Sequence, residues 1–526
     1  MSTLQLKRTL VTVLLLASQA AVYAAEQKPA ARPNILLILA DDQGYCELGA
    51  FMDFARADNL GSPLAAKYLA IKTCTAKEAP LDVCFEAARR CTPTLDALAK
   101  RGVRFSDFYA APTCGPSRAA LMSSRYPQGF GVYANDDVIE SGAEGIPAEV
   151  KFPVKLFQKA GYMTGLTGKW HLGIEKPGMH PNDRGFDYFF GFDRAHTEKY
   201  DSKILRRNRE KAPAVGWLAD QISAEAVAFV GRAAQAQKPF FLYVAYNEPH
   251  GPTPRPPQPY IDHFKSGSDV VDVHFATIYG MDQGIGRILD ELKKNGQLEN
   301  TMILYGSDNG LGQGSYQKGF DAKDGQYLVG VPGNGPFRGC KWTPWEGGVR
   351  VPFIACLPGG AAKTSKALLS IMDVMPTALD YAGIAIPPDY TLDGRSFLPI
   401  LQGKAEGDSD RMLFWALDAG PPYGDWGPEY DRLRESPRTR QMGFPPAWYV
   451  RTPAWKLMGW DTLAPALIDM RSDPGERVDV SQQHPEVVQR LRRAFDAWIT
   501  AQKPPQNYNR QQWERFLPAQ GKQPGK

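Results

Sequence analysis

A chain of 526 residues with 61 Lys and Arg against 57 Asp and Glu carries a net charge of only +4, which gives no reason to expect a nucleic-acid partner. Its hydrophobic content of 43 % excludes a disordered protein, and its length exceeds what one hydrophobic core usually serves, so one large and one smaller domain are expected.

In chain order, the first signal is Lys7 and Arg8, then an apolar run from Leu10 to Val22, then Val22-Tyr23-Ala24. This is the pattern of a secretory signal peptide over residues 1–24. The run is too short for a comfortable membrane span, and no cysteine follows it closely to take a lipid. The mature chain is therefore expected to be periplasmic or secreted, with no membrane attachment after signal cleavage.

"NILLILADD" follows, an apolar run from Ile35 to Leu39 that ends in Asp41 and Asp42. The stretch from about Phe51 to Arg90 reads as a loop excursion on the functional side, with Cys74, Cys84 and the nearby Cys91 offering an internal staple. "PTLDALAKRG" is a helix with a glycine stop. Cys114 then stands at a second helix start, with Pro116 inside the first turn, where proline is tolerated. "YMTGLTGKWHLG" is a weaker apolar run ending in Lys169 and His171, and "ADQISAEAVAFVGRAAQAQ" is a helix. "PFFLYVAYNEPHGP" is a strong run that ends near His250, and "TMILYGSDNG" ends in Asp308 and Asn309.

Continuous apolar runs of this length read as strands buried on both faces, and their alternation with helices implies a parallel α/β sheet. In such sheets ligands bind beyond the carboxyl ends of the strands, where all four runs carry their polar residues. This architecture is expected over residues 33–410. From 411 to 503 the pattern changes to short alternating runs ("RMLFWAL", "AWYVR", "AWKLMGW", "PALIDM") and the amphipathic "HPEVVQRLRRAFDAWITAQ", which predict a small antiparallel sheet with a helix. The segment "AGPPYGDWGPEYDRLRESPRTRQMGFPP" reads as a long surface loop, and 504–526 as a polar tail.

Asp41, Asp42, Asp308 and Asn309 are hard oxygen donors on two strand ends. Carboxylates this close repel unless a cation lies between them, and a hard divalent ion such as Ca²⁺ or Mg²⁺ suits an all-oxygen shell. The helix start at Cys114 offers free N–H groups to an anion. Arg118, one turn along, can fork onto anionic oxygens, and Lys169, His171, His250 and Lys341 add charge and proton donors. Together these residues suit an ester of a tetrahedral oxyanion, sulfate or phosphate. His180, His196, His263, His274 and His484 read as ordinary surface or loop histidines. Seven cysteines make an odd number, so at least one is unpaired or chemically special.

"CGPSRAALMSSRYP" resembles the type I sulfatase signature, and "GKWHLG", "AYNEPHGP", "SDNG" and "FRGCKWTPWEGGVRVP" resemble later motifs of that family in the same order. The resemblance implies an alkaline-phosphatase-like α/β fold with a small C-terminal α+β subdomain. It implies that a formylglycine-generating enzyme converts Cys114 to formylglycine, with Pro116 and Arg118 part of the pattern read. It also implies Ca²⁺ on Asp41, Asp42, Asp308, Asn309 and the residue at 114. Arg118 would hold the formylglycine hydrate, Lys169 and Lys341 the sulfate. His171 would be the base that releases sulfate after transfer, and His250 would stand beside the leaving oxygen. The substrate would be a sulfated small molecule or saccharide. Two long insertions, Phe51–Arg90 and the segment between Asn309 and Lys341, depart from the family's spacing without touching a motif. A phosphonate or phosphate ester hydrolase of the same superfamily would share much of this pattern. A non-enzymatic anion-binding protein would keep Cys114 unmodified.

Overall fold

The computed structural model describes residues 32–53, 81–135, 145–195, 197–213, 215–251, 254–312, 333–335, 337–418, 446–460 and 464–505. The signal segment, Cys74, His196, most of both insertions, the long loop after 418 and the tail from 506 lie outside the described residues.

A ten-stranded sheet forms the centre, in the order β11 (Lys363–Ser365), β2 (Val103–Phe105), β10 (Phe353–Cys356), β9 (Thr301–Ser307), β1 (Asn34–Asp41), β8 (Phe240–Pro249), β4 (Met163–Lys169), β5 (Tyr188–Phe192), β6 (Arg206–Arg207) and β7 (Glu210–Lys211). Its middle is built from β1 (Asn34–Asp41), β4 (Met163–Lys169), β5 (Tyr188–Phe192), β8 (Phe240–Pro249) and β9 (Thr301–Ser307). β9, β1, β8, β4 and β5 are neighbours and all parallel. The four apolar runs of the sequence are four of these five strands, and every residue of β1, β8 and β9 is buried. The flanks are antiparallel: β10 (Phe353–Cys356) pairs with both β9 and β2 (Val103–Phe105), and β6 (Arg206–Arg207) with β5 and β7 (Glu210–Lys211). β11 (Lys363–Ser365) runs parallel to β2 at the far edge.

Alternation along β1 feeds two cores. Ile35, Leu37 and Leu39 pack with Ala119, Leu121 and Met122 of the helix Cys114–Ser123. Leu36, Ile38 and Ala40 face the other way, onto a layer holding Ile222 and Phe229 of the helix Leu218–Gln235 and Ile278 and Ile285 of the helix Asp269–Lys294. Helices on both faces are what buries a parallel sheet.

A second sheet, β13 (Leu413–Asp418), β14 (Pro446–Arg451), β15 (Trp455–Trp460) and β16 (Ala466–Asp469), is antiparallel throughout. The helix Pro485–Thr500 packs on it through Leu491, Phe495 and Ile499, with the Phe495 ring stacked 4.4 Å from Trp448. A buried ionic cluster joins this sheet to the larger one. Lys456 of β15 donates to Glu346 at 2.8 Å and to Glu476 at 2.7 Å, and Glu476 accepts the Glu346 backbone N–H at 2.7 Å. Tyr109 and Arg350 also reach Glu346, at 2.6 and 3.4 Å.

One expectation needs correction. The end of the presumed loop excursion is a helix, Leu81–Arg90. Of the cysteines offered for a staple, Cys74 lies outside the described residues, and Cys91 is a buried thiol that donates to the carbonyls of Glu47 and Ala88 at 3.4 and 3.2 Å. Cys46 and Cys356 are likewise buried thiols, each with its pKa raised by burial, so none is a reactive thiolate. Among the described residues no helix is long and apolar enough to cross a membrane.

Candidate active site

The parallel run β9-β1-β8-β4 aligns its carboxyl ends on one edge: Ala40 lies beside Ser307, and Ala245 beside both Leu39 and Gly168. Asp41, Asp308, Lys169 and His250 therefore emerge together. The close approach of β4 to β8 requires glycine at 168, where φ is +109° and a Cβ would lie 1.8 Å from the Ala245 carbonyl oxygen. Asp42 and His171, just past their strands, hold left-handed backbones with φ of 64° and 58°. Such strain in non-glycine residues clusters at functional sites.

Cys114 opens its helix against this edge. No Thr113 side chain caps it; instead Asn135 Oδ1 accepts the Gly115 N–H at 2.8 Å. The Cys114 thiol donates to Asp41 Oδ1 at 3.3 Å and lies 3.7 Å from Asp42 Oδ1, while Lys341 Nζ approaches Sγ to 3.2 Å. Lys169 Nζ contacts both Asp41 oxygens at 2.7 and 2.9 Å, and Lys341 Nζ both Asp42 oxygens at the same two distances. Arg118 donates twice to Asp308 Oδ2, at 2.8 and 3.0 Å, and once each to the Lys169 carbonyl and Tyr243 hydroxyl. Asn309 Nδ2 donates to Asp42 at 2.7 Å. All ten residues singled out in the sequence thus meet in one cluster, His171 as their electrostatic neighbour.

Three buried carboxylates face three buried cations, Arg118, Lys169 and Lys341. Burial alone would raise Asp41, but Lys169, with His250, Arg118 and Lys341, holds it well below the usual carboxylate range. Asp42 is lowered the same way, chiefly by Lys341 against its own burial. Asp308 goes the other way, to about 6, because burial and the Asp41 charge outweigh Arg118. Burial, then Asp308, pushes the Cys114 thiol well above its ordinary value. Burial lowers both histidines, His171 well below the usual value and His250 to about 3, so both rings are neutral near pH 7. Both His171 ring nitrogens are buried without a hydrogen-bond partner. His250 Nδ1 lies against the Gly251 carbonyl, so in the neutral ring it carries the proton, and Nε2 sits 3.6 Å from Asp42.

The cluster could hold a metal ion. Donor atoms of Asp41, Asp42, Cys114 and His250 lie within 4.8 Å of one another. Beside them Asn309 Oδ1 is a buried acceptor with no partner, an arrangement that costs roughly 1–3 kcal/mol unless a donor or cation meets it. Because the carboxylates and cations balance, a divalent cation and an oxyanion can enter together with little change in net charge.

The structure adds residues that sequence reading passes over. Asn247 Nδ2 donates to Asp41 Oδ2 at 2.6 Å, and its backbone carbonyl accepts from the buried Lys199, itself 3.5 Å from Glu248. Asn247 and Glu248 stand within "AYNEPHGP", three and two residues before His250, so the motif itself could have flagged them. Nothing around Lys199, Tyr243 or Asn135 could have.

A family model described as sulfatase matches residues 33–384. The chain is 38 % identical over 428 residues to "Uncharacterized sulfatase YdeN" of Escherichia coli (strain K12), covering 75 % of this chain and 70 % of that protein. It is 30 % identical over 502 residues to human N-acetylgalactosamine-6-sulfatase, covering 88 % and 84 %. The crystal structure of Ps i-CgsB superposes with a TM-score of 0.71 at 28 % identity, covering 90 % of this chain and 94 % of that one. The same protein has been crystallised with k-i-k-neocarrahexaose.

Proposed function

The chain belongs to the sulfatase family and is a sulfuric ester hydrolase; on that premise we propose that it removes sulfate from a saccharide in the periplasm or outside the cell, using formylglycine made from Cys114 by a formylglycine-generating enzyme. The observation that carries this reading is the state of Cys114. A buried thiol held protonated between Asp41, Asp42 and Lys341 is a poor nucleophile as a thiol, yet it stands where the cations converge.

Formylglycine as its hydrate supplies a hydroxyl to attack sulfur and a second hydroxyl whose deprotonation releases sulfate, which a serine would lack. Asp41, Asp42, Asp308 and Asn309 would hold Ca²⁺, a hard Lewis acid for the sulfate oxygens. Lys169 and Lys341 neutralise the anion from either side of residue 114. Arg118 is locked by Asp308 and the Lys169 carbonyl, so it orients residue 114 at little cost in freedom. His171, buried and neutral, is in the right state to take a proton. His250, partly exposed and 3.6 Å from Asp42, would stand beside the departing alcohol oxygen. The saccharide follows from two similar proteins, one named for N-acetylgalactosamine 6-sulfate and one crystallised with an oligosaccharide.

Parallel assays on sulfated saccharides, aryl sulfate, phosphate diester and phosphonate test the reaction, with mass spectrometry of the Cys114 peptide. Sulfate release with an aldehyde at 114 is expected. Preference for the phosphorus esters would favour a phosphohydrolase, and full activity with an intact thiol would overturn the formylglycine mechanism.

The cation has its own test. Asp308→Ala is ambiguous, because it also strands the buried Arg118, a loss of about 3–5 kcal/mol by itself. Asn309→Ala is cleaner. Wild-type protein should gain about 2.7 kcal/mol at Ca²⁺ a hundredfold above Kd, read as a rise in Tm over chelated protein. Asn309→Ala should keep most of its chelated Tm and lose most of that gain. An equal Ca²⁺-dependent rise in both proteins would remove Asn309 from the cation site.

A further inference from the structure

The sulfate-facing floor of the site is closed. Cys114, Arg118, Lys169 and His171 are fully buried, and Lys341 is 3 % exposed. Asn135, Asn247 and Asn309 are buried as well. Among the described residues in contact with Cys114, Lys341 or Asp42, two side chains reach toward solvent: His250 and Trp342. Of the described side chains, these two are therefore the ones placed to meet the alcohol portion of a sulfate ester seated against Lys169 and Lys341.

Trp342 is held there at a cost. Its φ is +77°, a left-handed backbone that a bulky residue seldom adopts without strain. The conformation is pinned by its N–H, which donates to the Pro112 carbonyl at 2.8 Å, two residues before Cys114. The indole ring then lies 5.4 Å from Lys341 Nζ, the ammonium that itself touches Cys114 Sγ. The half-buried ring thus sits at the rim, one side chain away from the reacting position. A flat indole offers an apolar face of a size and rigidity that suits the C–H face of a pyranose.

We propose that Trp342 is a specificity-determining residue, the platform on which the sugar ring of the sulfated substrate stacks. This rests on the saccharide sulfate reading above. It assigns to Trp342 a contact with the alcohol portion of the ester and none with the sulfate.

The test compares a whole substrate with the sulfate part alone. KM is measured for N-acetylgalactosamine 6-sulfate and k-i-k-neocarrahexaose, and the inhibition constant for inorganic sulfate, in wild type, Trp342→Ala, Trp342→Phe and Trp342→Gly. In Trp342→Ala the KM of whichever saccharide wild type hydrolyses should rise about tenfold, the upper range of one aromatic contact. Trp342→Phe keeps an aromatic face and should rise only about two- to threefold. The sulfate inhibition constant should stay within about twofold in all three, since a lost substrate contact shows in KM for the part it touches. Trp342→Gly should keep or raise Tm, because glycine relieves the left-handed backbone. KM and the sulfate constant rising by the same factor, or a lower Tm in Trp342→Gly with all binding lost, would reduce Trp342 to a packing residue and overturn the inference. Variants that match an active wild type on every saccharide would overturn it alone. A wild type that desulfates no saccharide would overturn the substrate reading, and this inference with it.

Discussion

Cys114→Ala is expected to lose sulfatase turnover by a factor on the order of 10⁶, the scale seen when a covalent nucleophile is removed. The reason lies in what surrounds the residue. Lys341, Asp41 and Asp42 contact Sγ directly, so the residue at 114 is the one on which these charged groups converge. Folding should survive: alanine leaves the Asp41–Lys169 and Asp42–Lys341 pairs intact, so Tm should fall by no more than a small cavity implies. Cys114→Ser separates two accounts of the chemistry. A serine hydroxyl at this position can attack sulfur once but has no second hydroxyl with which to expel sulfate, so it should give a single turnover and stop. Steady turnover in Cys114→Ser, measured as continuous sulfate release beyond one equivalent, would contradict the need for a hydrate at 114.

His250→Ala should lose about 10²–10⁴-fold in rate, the usual worth of positioned acid–base help, and the loss should depend on the leaving alcohol. Sugar sulfates, whose alcohols are poor leaving groups, should suffer most, and activated aryl sulfates least. His250 is neutral in the ligand-free site because burial pushes its pKa to about 3. A proton for the departing oxygen must therefore be acquired with substrate bound, where the ester's negative charge favours imidazolium. The sign follows: for poor leaving groups the rate should fall as pH rises through the pKa of the bound state, and in His250→Ala that limb should vanish. His171 is expected to act later, so His171→Ala should show a rapid first release of alcohol followed by slow turnover. Equal losses for aryl and sugar sulfates in His250→Ala would remove it from the leaving-group side.

Much of this site is legible in the sequence because strand ends in a parallel sheet are marked twice. The apolar run gives the strand, and the polar residue that ends it gives the chemistry: Asp41 after "NILLILA", Lys169 after "MTGLTG", Asp308 after "TMILYGS". The C-terminal sheet is legible for a different reason, its alternation. What is not legible is whatever acts singly. Asn135 caps the Cys114 helix from 20 residues away, and Lys199 supports Asn247 from 48 residues away; neither leaves a periodic trace. The thiols mislead for a physical reason too. An exported chain could form disulfides, but Cys46, Cys91 and Cys356 are spent filling a dry core between helices and sheet, where a small apolar side chain is what packing requires.

The ionic cluster around Glu346 bears on how the protein comes apart. Glu346, Lys456 and Glu476 are fully shielded from solvent, and each satisfies a partner from another part of the chain. Glu346 begins the turn whose Gly347 N–H bonds to the Arg338 carbonyl and whose Gly348 carbonyl accepts from Gly310, so it ties the segment carrying Lys341 to the residue after Asn309. Peeling the four-stranded sheet away would strip Lys456 from Glu346 and leave Arg350 and Tyr109 as its partners, so a buried ion pair must break before the sheet can leave. The compositional break near residue 411 is therefore a boundary of pattern and not of cooperativity: the two sheets should melt in one transition, and the segment that carries Lys341 is held as firmly as β15 is docked.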